Sequence, residues 1–61
     1  MKVKVIIKNI SGQTLEEHTL ICPGLIATKT LGMQYVQASN KEEIFQNDDY
    51  LMIVKPEIEG G

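Results

Sequence analysis

Gly60-Gly61, Cys22, His18 and the acidic pairs Glu42-Glu43 and Asp48-Asp49 are the positions in this chain that could do chemistry. A terminal diglycine presents a carboxylate on a tail without side chains, able to enter a narrow active site. Cys22 could act as a nucleophile or an intermolecular disulfide partner. No second histidine or local basic residue is placed to activate it, so a buried, inert thiol is expected. His18, between Glu17 and Thr19, reads as a solvated histidine on the polar face of a strand. Asp48-Asp49 could join Glu42 or Glu43 around a calcium ion, but the glycine and ligand spacing of a calcium loop are missing, and an ordinary turn is expected. Glu57 and Glu59 read as solubilising the tail. No catalytic, cofactor-binding or metal-binding set is assigned on these grounds, and Gly60 and Gly61 stand as the alternative functional residues.

The elements that would position these groups are short strands. Residues 3–8 alternate, with Val3, Val5 and Ile7 on one face and Lys4 and Lys8 on the other beside Ile6, which predicts a strand. Asn9-Ile10-Ser11-Gly12-Gln13 gathers turn formers, and Gly12 can take the positive φ of a hairpin connection. Residues 14–21 form the returning strand, whose polar centre, Glu16-Glu17-His18, predicts an exposed or edge section. Cys22-Pro23-Gly24 then breaks the chain, because Pro23 can neither donate to a ladder nor continue a helix. Residues 25–31 and 33–38 are extended, as one long strand bent at Gly32 or two short ones. Ser39-Asn40-Lys41-Glu42 fits a capping box, which predicts a short helical turn through Ile44 and Phe45. Tyr50-Leu51-Met52-Ile53-Val54 predicts a buried strand, stopped by Lys55-Pro56.

Composition narrows the functions. The 61 residues make one domain, 1–61, with 43% hydrophobic and 23% charged residues, the balance of a folded chain rather than a disordered one. A domain this short buries only about 60% of the surface its unfolded chain exposes, so its core is thin. Small domains compensate with disulfides, a metal or association. One cysteine excludes an internal disulfide and one histidine gives no zinc-ligand cluster, which leaves association. Six lysines, no arginine, eight acids and three aromatics, at net charge −2, argue against nucleic acid as a partner. No apolar run approaches the roughly 18 residues of a membrane span, and the first residues lack a signal-peptide pattern, so no membrane partner is expected.

Asp48 through Gly61 is an acidic turn, an apolar strand, a proline-containing linker and a terminal diglycine. This stretch resembles the ending of the ThiS and MoaD sulfur carriers. The resemblance implies that Gly61 is adenylated by an activating enzyme and converted to a thiocarboxylate, with Gly60 keeping the approach open. It also implies a β-grasp fold, in which a helix follows the first hairpin, and residues 35–47 match the family's third strand and small helix. Cys22-Pro23-Gly24 stands where that first helix would run.

Ile7-Lys8-Asn9-Ile10-Ser11-Gly12-Gln13-Thr14-Leu15, with Thr19-Leu20-Ile21-Cys22-Pro23-Gly24, Glu42-Glu43-Ile44 and the apolar run from Tyr50 to Val54, is similar to small phage virion proteins. These run strand, Asn-x-Ser-Gly turn, strand, Pro-Gly turn, strand, short acidic helix and last strand. That resemblance implies a decoration, cement or head-tail accessory subunit stabilised in an array of copies.

The expected fold is therefore mainly β: a small four- or five-stranded barrel or sandwich-like sheet with one short helical turn, with an α+β β-grasp as the alternative. The expected function is that of a non-enzymatic structural subunit. Its partners would be other protein subunits in a multi-copy assembly, and its location the virion, assembled in the host cytoplasm. The alternative is a cytoplasmic sulfur carrier whose partner is an adenylating enzyme. No cofactor is expected in the structural reading.

Overall fold

A computed structural model describes residues 1–37 and 40–57. The described residues form six strands: β1 (Lys2–Asn9), β2 (Thr14–Ile21), β3 (Gly24–Thr28), β4 (Gly32–Val36), β5 (Glu43–Gln46) and β6 (Tyr50–Pro56). They form two antiparallel sheets, a four-stranded one in the order β2-β1-β6-β5 and a two-stranded hairpin, β3-β4. The hairpin packs over one face of the larger sheet, giving a small, mainly β, sandwich-like domain.

The alternation of β1 decides which face is covered. Val3, Val5 and Ile7 are fully buried and form the core with Cys22, Ile26, Val36, Met52 and Val54, while Leu20 and Leu31 pack at its margin. Full burial of the three β1 side chains contributes roughly 5 to 9 kcal/mol in gross transfer free energy. β6 lies between β1 and β5, so it needs apolar residues on both faces. Met52 and Val54 enter the core, whereas Ile53 is buried on the opposite face, in register with Ile6 on one side and Ile44 on the other. Lys4–Glu17, Lys55–Glu42 and Lys2–Glu57 form ion pairs at 3.3, 3.8 and 3.7 Å. These partners are all about a third or more exposed, so the pairs add little stability.

The β1–β2 turn follows its residue types. Asn9 Oδ1 accepts from the amides of Ser11 at 3.0 Å and Gln13 at 2.9 Å, and Gly12 takes φ 89°. An asparagine side chain standing in for a backbone acceptor, followed by a glycine at positive φ, closes this loop without strain. The chain then passes from β2 to β3 through Cys22 and Pro23, whose peptide bond is cis.

Several sequence expectations are corrected. The predicted helical turn is absent from the described residues: Ile44 and Phe45 lie in β5, paired with Ile53 and Met52 of β6. Ser39, the proposed cap, lies outside the described residues. A single helical turn fixes several residues for few hydrogen bonds and returns little, whereas pairing along β6 satisfies a whole ladder and sets Ile44 beside Ile53. The described strands make two sheets rather than a closed barrel. The β-grasp alternative fails between β2 and β3, where the chain turns directly through Pro23 instead of forming a helix. Of the two readings left open at Gly32, two short strands rather than one bent strand are found, and Gly32, at φ 72°, closes the tight β3–β4 hairpin between them. Pro56 does not end β6 early, because it still lies opposite Val3.

Candidate interaction surface

The hairpin alternates like β1, but its outward residues are apolar too. Ile26, Thr28 and Val36 face inward and are buried, while Leu25, Met33 and Tyr35 face outward and are about 60% exposed. Leu25 lies opposite Tyr35, and Ala27 opposite Met33. Both faces of this two-stranded sheet are therefore hydrophobic, although only one is covered by other described residues.

The hairpin tip is held firmly. Thr28 Oγ1 donates to the carbonyl of Gly32 at 2.8 Å and accepts from the Leu31 amide at 2.9 Å. Gln34 Nε2 donates to the Leu31 carbonyl at 2.9 Å. From β2, the Glu16 carboxylate accepts the amide of Lys29 on Oε1 at 3.0 Å and that of Thr30 on Oε2 at 2.7 Å. His18 Nε2 lies 2.8 Å from the same Oε1. The Thr30 hydroxyl, the Lys29 amide and the His18 ring together hold the Glu16 carboxyl down to about 2, against a burial effect that acts to raise it. Glu16 is thus a latch between β2 and the hairpin tip.

Between β4 and the β5–β6 pair, the sandwich gapes. A cleft of about 440 Å³ runs there, floored by Met52 and Val54 and walled by Tyr35, Val36 and Phe45. A hollow of about 190 Å³ continues it past Leu31 and Tyr50. Phe45 points into this cleft yet stays 51% exposed. Glu43 is the one carboxylate on the lining, which holds no cysteine, histidine or lysine among the described residues. Such a lining can bind apolar groups and has no nucleophile–base pair.

The residues singled out from the sequence are scattered around this surface. Cys22 is 6% exposed, just after β2, with its amide donating to the Met1 carbonyl at 2.6 Å. His18 departs from expectation: it turns to the inner side and is hydrogen-bonded to Glu16 rather than simply solvated. Asp48 and Asp49 sit in an exposed turn organised by Asn47, whose Oδ1 accepts the amides of Asp49 at 2.8 Å and Tyr50 at 2.7 Å. Glu42 pairs with Lys55 while Glu43 faces the cleft, so these acids do not converge. Glu57 pairs with Lys2, and its amide donates to the Lys2 carbonyl. Glu59, Gly60 and Gly61 lie outside the described residues.

The Glu16 latch and the Phe45 cleft were missed from the sequence. The first joins residues 13 and 14 positions apart with no local signal. The second depends on which strand edges fail to meet.

The burial of Cys22 makes a direct prediction. In the folded protein, iodoacetamide should label it at least about tenfold more slowly than in a denatured control, because reaction requires local opening. Equal rates would place the thiol at the surface.

No protein-family model, curated protein or solved structure matches this chain.

Proposed function

We propose that this chain is a non-enzymatic structural subunit of a larger assembly, of the kind that decorates, cements or joins parts of a phage virion. The observation that carries the reading is the apolar outer face of the hairpin, Leu25, Met33 and Tyr35, continuing into the cleft beside Phe45. Soluble monomers rarely leave contiguous apolar surface uncovered, and such surface marks sites of association. A thin core supports the same reading, since docking on this face would supply the burial that a short chain cannot achieve alone. The partners are protein subunits in many copies, with the virion as the location.

The test is the mass of the native material. A particle containing many copies of the chain, each with an unmodified C-terminus, is expected. A free chain, or one bound to a single enzyme, carrying about 16 Da extra at Gly61 from exchange of oxygen for sulfur, would overturn the reading. It would establish the sulfur carrier instead.

A further inference from the structure

Among the described residues, the edge strands of the two sheets differ in charge. β2, at one side of the large sheet, lies beside β3 and carries Glu16 and Glu17. β5, at the other side, carries Glu43 and is bracketed by Glu42, Asp48 and Asp49. β4 is different: from residue 30 to residue 40 the sequence holds no acidic or basic side chain. Edge strands are ordinarily guarded against pairing by lysine, proline or an inward charge. β4, Gly32-Met33-Gln34-Tyr35-Val36, has none of these.

We infer that β4 is a homotypic docking edge, on which a second copy of this chain lays its own β4 antiparallel about a two-fold axis. The two hairpins then form one four-stranded sheet in the order β3-β4-β4-β3. This rests on the structural-subunit reading and names the partner. A two-fold contact sets an edge against itself, so a charged edge meets its own sign. That disfavours self-pairing of the acidic β5 in a chain of net charge −2, and does not touch β4. Pairing centred on Gln34 sets Met33 of one copy against Tyr35 of the other, a sulfur–ring contact. It also joins Leu25, Ala27, Met33 and Tyr35 of both copies into one apolar face. A standard interface buries about 800 Å² per partner, close to a fifth of the 4242 Å² surface of this chain. Pairing in the plane of the sheet covers the two β4 edges and leaves the joined outer face open.

Sedimentation equilibrium of the whole chain over about 1 to 100 μM tests this. A dimer in reversible equilibrium is expected. Tyr35→Lys should weaken it at least about 100-fold, since it brings charge into the apolar stripe of both copies. Ile44→Lys, a charge at an equally exposed position on β5, should change it by no more than about twofold. Should Tyr35→Lys fail to fold by circular dichroism, amide exchange of the wild type decides: concentration-dependent protection at residues 33–37 supports the inference, and its absence overturns it. A monomer throughout the range overturns it. So does association that survives Tyr35→Lys or is abolished by Ile44→Lys. A many-copy native particle whose isolated chain is monomeric would overturn this inference and leave the structural reading standing. A dimer with sulfur on Gly61 would do the reverse.

Discussion

Val5→Asp is expected to leave the chain unfolded at 25 °C, with its far-UV strand signal and amide dispersion lost. Val5 is fully buried at the centre of β1, opposite His18 of β2 and Val54 of β6. A carboxylate there meets only apolar and thiol side chains within the core cluster, and the histidine opposite it on β2, His18, is already hydrogen-bonded to Glu16. Burying such a group unpaired is among the few single changes that cost about 4 to 5 kcal/mol or more. A small domain near the lower part of the roughly 5 to 15 kcal/mol stability range cannot absorb that loss. The control is Lys8→Asp, on the opposite face of the same strand, which should stay within about 0.5 kcal/mol of wild type. A folded Val5→Asp protein would show that the β1 face is not the core.

The same alternation that makes Val5 indispensable made β1 legible in the sequence. A period of two with valine and isoleucine on one face and lysine on the other has a single solution once a sheet covers the apolar side. The turn at Asn9 to Gln13 was equally legible, because its closing interactions are local and come from the asparagine and glycine themselves. β5 was not. Ser39-Asn40-Lys41-Glu42 carries a helix-start pattern ahead of Ile44 and Phe45, and what overrides it is β6, whose outward Ile53 gains a neighbour in the paired Ile44 of an adjacent strand. Gly32 admitted two readings because a positive-φ glycine serves either a bend or a hairpin closure. The choice was made by register, Thr28 opposite Gly32, and by the Thr28 hydroxyl bonds that close the loop.

The interaction surface was legible only in part. The absence of charge from residue 30 to residue 40 is visible in the sequence, but it acquires meaning when those residues are found to include an edge strand, β4, that pairs among the described residues with β3 alone. Leu25, Met33 and Tyr35 each read as ordinary strand residues. That all share the outward face follows from the hairpin register, and register is a long-range property. The cleft is a consequence of the same geometry: β4 and β5 are successive in the chain but do not pair, so Phe45 is left half-exposed beside the cleft while Met52 forms part of its floor.

Glu16→Gln should lower stability most at neutral pH and progressively less in acid. The wild-type carboxylate accepts two backbone amides of the hairpin tip, one on each oxygen. Glutamine keeps one acceptor and replaces the other with a donor, which faces an amide that it cannot satisfy. The carboxyl is lowered in the folded state from 4.5 to about 2. A group depressed by folding stabilises fully above its unfolded value, and that contribution is lost as pH falls through the folded one. The urea midpoint of the wild type should therefore decline from about pH 5 towards pH 2, while the Glu16→Gln variant, lower at pH 7, stays flatter over that window. The two curves should converge near pH 2. His18 separates the contributions: His18→Ala removes the ring from Oε1 but leaves both amide bonds, so most of the acid-sensitive limb should survive in that variant. Amide exchange gives the local readout, since Lys29 and Thr30 should lose protection in Glu16→Gln before the strands of the large sheet do. Parallel pH profiles for wild type and Glu16→Gln would show that the carboxylate does not latch the hairpin to β2.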